Sequence, residues 1–288
     1  NKKKLNDSNT YTEVDTVVTT GSEIRLPATL CAPAGVTDYP IAVLVHGSGA
    51  LDRDETIYGN KPFAELSHGL AKHGIATLRY DKRTWAYQDN SHVTIHEEVI
   101  DDALSAIDLA SRLTKGRIFL IGHSLGAMTA PKIASLTAEL SGIVMMAAPA
   151  RSLIEIIAEQ VDYLSPSGAS QSYKDNQIAI IKQKSPQYFE GEIAQYDQVA
   201  VAQSLRCPIL VLQGERDYQV QMTDYNLWQI AFAGNERFQC HSYPGLNHLF
   251  HESHSPGTLS SPADYLERGT IPDQVIDDIA NFINAAAH

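Results

Sequence analysis

The spacing of hydrophobic positions along this chain changes period in a regular way. From Tyr11 to Thr20 apolar and polar residues alternate, Gly21-Ser22 interrupts them, and the pattern resumes from Ile24 to Cys31. Alternation on either side of a glycine turn predicts an antiparallel hairpin. Ile41 to Val45 is a continuous apolar run, the mark of a strand covered on both faces. Further strands are predicted at Ile75 to Tyr80, Arg117 to Ile121, Gly142 to Ala147, Pro208 to Gln213 and Arg237 to Tyr243.

Helical spacing fills the intervals between them. Lys61 to His73 reads as a helix ended by Gly74. Thr94-Ile-His-Glu97 is a capping box, and Ile100, Ala103, Leu104, Ile107, Ala110 and Leu113 follow at helical intervals. Met222 to Ala233 and Pro272 to Ala286 are two more helices, the last with proline in its first turn. Strands alternating with helices predict an α/β fold. The expected sheet is mostly parallel and eight-stranded, with an antiparallel N-terminal hairpin and helices on both faces.

Residues 150–204 break this rhythm. Ile154, Ile157, Val161 and Leu164 suggest an amphipathic helix, and Ser165-Pro-Ser-Gly168 interrupts it. Tyr173 to Lys184 reads as another helix, and an irregular piece starts at Ser185-Pro186. The organisation expected is a core of residues 1–149 and 205–288 with a helical cap inserted at 150–204. A second packing layer without a gating role is the other reading of that insertion.

Composition narrows the function classes. The chain has 288 residues, enough for one large core, and its 43% hydrophobic and 19% charged shares are ordinary for a globular protein. A formal net charge of −12 argues against nucleic acid or an anionic membrane surface as partner. No apolar run approaches the roughly 20 residues of a membrane helix. Cys31, Cys207 and Cys240 are scattered, with neither disulfide nor metal spacing. The first residue is Asn1, so a removed leader stays open. A cytoplasmic protein is the first expectation for compartment and an exported one the alternative. Oligomeric state is not legible.

The chemistry centres on Lys115 to Leu136. There a β-branched and aromatic run meets Gly122-His123-Ser124-Leu125-Gly126, and a helical pattern follows at once. This is a G-x-S-x-G elbow with a strand before it and a helix after it. A serine on such a sharp turn sits in strained backbone with no room for side chains two residues either side. Its hydroxyl stands above the sheet edge, and the Leu125 N–H opens the new helix, where an oxyanion would bind.

A serine hydroxyl is inert near neutrality without a base and a group that orients the base. In hydrolases built on this elbow the chain order is serine, acid, histidine. Asp217, three residues past Gly214 at the end of a strand, is the expected acid, with Glu215 the weaker candidate. His248, delivered by the Pro244-Gly245 turn, is the expected base, with His251 and His254 close behind. A second oxyanion donor is expected from His46-Gly47-Ser48-Gly49, whose glycines let backbone approach a substrate. The Ser48 N–H is the donor chosen. Gly47, Gly49, His123, Trp85 and Tyr87 are candidates for the substrate pocket.

Taken together, these motifs resemble α/β-hydrolase-fold serine esterases. The match is to the bacterial branch that carries His46-Gly-Ser-Gly49, then Asp52-Arg-Asp54, and Tyr80-Asp-Lys-Arg83 at the end of the next strand. The likeness extends over about residues 20–285. Thr84-Trp-Ala-Tyr87 follows where that branch usually has a glycine, so pocket shape is expected to differ. The six charged residues of these motifs read as a network tying two site loops together, with a direct substrate clamp the alternative. The resemblance implies hydrolysis of small acyl esters through an acyl-enzyme, with neither metal nor organic cofactor. The same triad serves serine peptidases and thioesterases, and a non-catalytic binding protein on this fold is the rival from another class.

Overall fold

The computed structural model describes residues 4–5, 10–88 and 93–288. Strands β2 (Tyr11–Thr19) and β3 (Arg25–Pro33) form the expected hairpin, with Tyr11 opposite Pro33 and Thr19 opposite Arg25. A two-residue strand, β1 (Lys4–Leu5), adds to the open edge of β2 opposite Glu13 and Thr12. Residues 1–10, a polar stretch, read from the sequence alone as a frayed end. The unpaired backbone of an edge strand instead recruits part of it, and the other residues of that stretch, apart from Thr10, lie outside the described ones.

The remaining predicted strands are all present. They are β4 (Ile41–Val45), β5 (Ala76–Tyr80), β6 (Ile118–His123), β7 (Leu140–Met146), β8 (Ile209–Gly214) and β9 (Phe238–Tyr243). Their order across the sheet is β1-β2-β3-β5-β4-β6-β7-β8-β9. The hairpin joins antiparallel through β3 and β5, and every pairing from β5 to β9 is parallel. The eight-stranded, mostly parallel sheet read from the sequence is therefore present, with β1 as a ninth strand at its edge.

Helices cover both faces. Ile41, Val43 and Val45 of β4 point to one side, where they join Ala103 and Ile107 of α3 (Asp102–Leu113), Ile133 of α4 (Leu125–Ser135) and Trp228 of α8 (Met222–Ala231). Ala42 and Leu44 point to the other, against Phe63 and Leu66 of α1 (Pro62–Ala71) and Ile279 and Ile283 of α9 (Asp273–Ala286). Two buried faces explain why the strand reads as unbroken apolar sequence. Each such valine, leucine or isoleucine contributes about 1.5–3 kcal/mol by leaving water.

Two local features differ from the sequence reading. The capping residue Thr94 accepts the Glu97 N–H at 3.2 Å, but the first turns, His96–Asp101, are π-helical before α3 begins. Arg83–Ala86 forms a single helical turn, α2, overlapping the polar and aromatic stretch from Trp85 to His92 that reads as a loop in the sequence; positions 89–92 of it lie outside the described residues.

Residues 150–204 hold α5 (Leu153–Leu164), α6 (Gln171–Lys184), two 3-10 turns and α7 (Gln198–Ser204). Ser152 and Glu155 cap α5 reciprocally. No residue of α6 is buried, whereas α7 places Ala202 in the core beside α4. The short α7 lacks a long apolar stripe. Its one local signal is Asp197, whose carboxylate accepts the Ala200 N–H at 3.0 Å.

Candidate active site

Strand β6 ends at His123 and α4 begins at Leu125, leaving Ser124 alone on the turn. Its φ of 57° and ψ of −114° are strained values for a residue with a side chain. The neighbouring backbone tolerates nothing larger than glycine. A Cβ on Gly122 would stand 2.3 Å from the Gly126 carbonyl oxygen, and one on Gly126 would stand 2.1 Å from that of Val45. The Ser124 N–H donates to the Met146 carbonyl at 2.9 Å, which ties the turn to β7. The Leu125 N–H, first in its helix, has no intrahelical acceptor.

Asp217 and His248 come together as the sequence order predicts. Asp217 is fully buried in the loop after β8. Its Oδ1 accepts the N–H groups of Gln219 (2.8 Å) and Val220 (3.0 Å), and its Oδ2 lies 2.6 Å from His248 Nδ1. An ionised carboxylate only accepts, so Nδ1 carries the proton and Nε2 is left as the basic nitrogen. The loop that presents His248 is folded by Asn247, whose Oδ1 accepts from the N–H groups of Leu249 (3.0 Å) and His251 (3.2 Å).

The other candidates are otherwise engaged. Glu215 accepts the Ser242 hydroxyl at 2.7 Å, and His251 Nε2 lies 2.8 Å from Glu65. His254 is exposed.

The loop Gly47-Ser48-Gly49 lies against the elbow, since a Cβ on Gly47 would come within 3.3 Å of the Ser124 Cβ. Its amides are not equivalent. Gly47 N–H donates to Glu55 Oε2 at 2.9 Å and Gly49 N–H to the Tyr188 hydroxyl at 2.8 Å. Among the described residues the Ser48 N–H meets no acceptor, and the residue is exposed. The carbonyls of Gly47 and Gly49 both accept from Lys82 Nζ, at 2.7 and 2.8 Å. Holding two carbonyls on one cation fixes which way the intervening peptides face.

Lys82 is 2% exposed, with Glu98 at 3.4 Å. Burial pulls its pKa down and the Glu98 carboxylate opposes that pull. The rest of the charged motif ties loops together. Arg53 grips Asp81 with two guanidinium nitrogens, at 3.1 and 3.0 Å, Arg79 holds Asp54 at 3.0 Å, and Arg83 holds Asp102 at 2.6 and 2.9 Å. His46 is enclosed beside Phe63 and Tyr80, and burial together with the Lys82 charge takes its pKa down to about 4.

A cavity of about 840 Å³ opens beside this loop. Gly49, Ala50, Thr84 and Glu98 form one wall, and the segment from Lys184 to Ile193, with Tyr188 in it, forms the other. Burial and the nearby Glu98 charge raise the Tyr188 pKa to about 12, so its hydroxyl keeps its proton.

Trp85 and Tyr87 were expected near the pocket, and the structure places both outside this cavity. Trp85 is 44% exposed, and the Tyr87 hydroxyl donates to the Arg25 carbonyl at 2.7 Å. The turn α2 directs their side chains outward, and only Thr84 reaches the wall. Gly49 does line the cavity, whereas Gly47 and His123 are buried and do not.

Glu55, Glu98 and Tyr188 escaped the sequence reading. Glu55 directly follows Asp52-Arg53-Asp54, which was its only local signal; Tyr188 sits in a stretch without periodicity. Among the described residues no group of three or more His, Cys, Asp or Glu side chains could hold a metal ion, and no helix is long and apolar enough to cross a membrane.

Comparisons with known proteins agree with this architecture. Residues 42–260 match the Alpha/beta hydrolase family. The chain is 36% identical over 272 residues to Esterase EstD of Thermotoga maritima, which covers 90% of this chain and 65% of that protein. The chain thus spans under two thirds of that relative's length. Among solved structures, the Pyrococcus furiosus esterase Pf2001 superposes with a TM-score of 0.64 at 14% identity, over 97% of this chain and 93% of that one. A puromycin-hydrolyzing peptidase from Mycobacterium tuberculosis superposes with the same TM-score and identity over 98% of this chain and 40% of its own. At such identities the two structures speak for the fold alone. By its sequence match over most of its length and by its sheet, this chain belongs to the alpha/beta hydrolase family.

Proposed function

We propose that the protein is a serine hydrolase that cleaves carboxylic esters of small molecules through an acyl-enzyme. Ser124 Oγ attacks the ester carbonyl carbon while its proton passes to His248 Nε2. Asp217 holds the imidazole in the required tautomer and offsets the charge it gains. The N–H groups of Ser48 and Leu125 receive the developing oxyanion. The proton then goes to the departing alkoxide. Water repeats the sequence at the acyl-serine and frees the carboxylic acid.

One observation carries this reading. A carboxylate fully occupied by two amides and the His248 Nδ1 stands on the loop after β8, in the same fold as a serine held at φ 57°. The oxyanion assignment rests on elimination within one loop. Gly47 and Gly49 spend their amides on Glu55 and Tyr188, and Ser48 keeps its own. The name of the Thermotoga maritima relative favours esters over amides and thioesters.

Residues 150–204 serve as a cap on this reading, because the 184–193 segment walls the cavity and touches the oxyanion loop through Tyr188. The cavity of about 840 Å³ meets the site at Gly49 and is not lined by Ser124 or His248, so it takes a portion of the substrate that extends past the oxyanion loop.

Purified protein should hydrolyse p-nitrophenyl acetate, and Ser124→Ala should abolish turnover with the fold intact. Fluorophosphonate should label Ser124. Turnover that survives the substitution would refute the assignment, and a panel of ester, thioester and aminoacyl-amide substrates sets the leaving-group class.

A further inference from the structure

Directly behind the Asp217–His248 pair lies a second buried carboxylate and histidine. Glu55 is fully buried and has a left-handed φ of 53°, a costly conformation for a side-chain-bearing residue. Both its carboxylate oxygens face the site. Oε2 accepts the Gly47 N–H at 2.9 Å, and Oε1 lies 2.6 Å from His123 Nδ1. The other ring nitrogen of His123 lies 2.8 Å from the carbonyl oxygen of His248, and the two imidazole rings are 4.8 Å apart.

Counting hydrogens sets how many protons this pair holds. A carbonyl oxygen only accepts, so His123 Nε2 must carry hydrogen. Neither Nδ1 nor Glu55 Oε1 has another partner among the described residues, and two bare lone pairs 2.6 Å apart would repel, so one of the two atoms also carries a proton. Oε2 is already turned to a donor. The pair therefore holds one proton more than a neutral imidazole beside a carboxylate, and the mutual effect of the two groups, which raises His123 and lowers Glu55, puts it on the imidazole.

We propose that Glu55 and His123 are positioning residues that share this proton and, through it, fix both the oxyanion loop and the His248 loop onto the nucleophile elbow. Glu55 reaches the first through Gly47, His123 reaches the second through the His248 carbonyl, and His123 itself is the residue before Ser124. This replaces the substrate contact expected of His123. The proposal rests on the serine hydrolase reading for its functional consequence but not for its proton count.

The charged surroundings are consistent with it. His46 and Lys82 act on Glu55, and Asp217 acts on His123 beside the uncharged ring of Phe250. Burial alone would discharge His123, yet the Glu55 carboxylate outweighs it and raises the pKa above its usual value. Burial likewise opposes the Glu55 charge, and His123 outweighs it, lowering that pKa. A histidine raised in the folded state stabilises fully below about pH 6.5 and loses that contribution as pH climbs through the raised value. The brace therefore fails on the alkaline side.

Nitrogen-15 NMR of the imidazoles at pH 7.5 tests the proton directly. Wild-type protein should show His123 with hydrogen on both ring nitrogens. In Glu55→Gln the amide satisfies Gly47 and donates to a bare Nδ1, so that ring hydrogen should disappear. In p-nitrophenyl acetate hydrolysis, counted per fluorophosphonate-titrated site, Glu55→Gln should keep kcat within about threefold at pH 7 and lose the alkaline decline of the wild type. Glu55→Ala, with the brace removed, should lose about 10- to 100-fold in kcat at little change in KM, the scale of an ångström-sized misplacement. A single ring hydrogen on wild-type His123 overturns the proposal, as does an Glu55→Ala protein with wild-type kcat per site. If Glu55→Ala does not fold, the NMR result and the pH profile of Glu55→Gln still decide. Wild-type protein without ester turnover would refute the esterase reading and leave the NMR result to judge this one.

Discussion

Gly214 and Leu246 are packed backbone to backbone: a Cβ on Gly214 would stand 2.5 Å from the Leu246 carbonyl oxygen and 2.7 Å from that of Asn247. The first residue ends the strand that leads to Asp217, and the others lead into His248. Their contact is thus what sets the two loops side by side. Gly214→Ala should push the His248 loop away and lower kcat by about 10- to 100-fold, with a stability loss of about 1–3 kcal/mol from overpacking. Gly245→Ala is the control, since nothing lies within 4 Å of its added Cβ. Steady-state kinetics and thermal melts of both variants decide the matter, and equal kcat losses in the two would remove this contact from the explanation.

Tyr188 links the 184–193 segment to the Gly47–Gly49 loop through one hydrogen bond, from Gly49 N–H at 2.8 Å. Gly49 is exposed, so removing the acceptor exchanges that bond for one to water, with a net cost on the order of 1 kcal/mol. Tyr188→Phe should therefore lower kcat/KM roughly five- to tenfold without much effect on melting. Tyr87→Phe loses a bond to Arg25 outside the cavity and should leave kcat/KM unchanged. A null result for Tyr188→Phe would separate the segment from the chemistry.

The parts of this site that could be read from sequence are those whose chemistry dictates local spacing. Gly122 and Gly126 are legible because the turn leaves no room for a Cβ, and Asp217 is legible because it follows a strand-ending glycine. Glu55 and Glu98 were not, because a buried carboxylate looks like a surface one until its partners, Gly47, His123, Lys82 and Thr84, are brought in from other parts of the chain. Trp85 and Tyr87 misled for the converse reason. Aromatic composition in a loop says nothing of the direction that one turn of helix gives the side chains. Alternation of strands and helices carried the fold class and the mostly parallel sheet, while the two-residue β1 and the short α7 fell below the length at which periodicity can speak.

His46 should make the fold sensitive to mild acid. Its pKa is about 4 in the folded protein, lowered first by burial and then by Lys82, against 6.5 for a free histidine. The unfolded chain therefore binds the extra proton between these values and the native state does not. Stability is full above about pH 6.5 and falls by roughly 3 kcal/mol as pH drops to about 4. Glu13, held at about 2 by the His68 contact against burial, acts in a lower window, from its usual value of 4.5 downward. Urea midpoints measured from pH 7 to pH 4.5 should shift accordingly, and His46→Leu should flatten that slope. An unchanged slope in the variant would assign the acid sensitivity elsewhere.

Lys82 offers the sharpest separation of fold from function in the charged motif. Its ammonium meets three partners, the carbonyls of Gly47 and Gly49 and the Glu98 carboxylate. Lys82→Met strips the cation from all three and leaves Glu98, 4% exposed, as an uncompensated buried charge. Breaking one side of such a pair costs about 3–5 kcal/mol. Lys82→Met combined with Glu98→Gln removes both charges, and most of that stability should return. Activity should not return with it, because the two loop carbonyls still lack the donor that sets the direction of the Ser48 N–H. The pair of variants is read by denaturant midpoint and by kcat per titrated site. Recovery of both quantities in the double variant would mean that Lys82 only balances Glu98 and does not shape the loop.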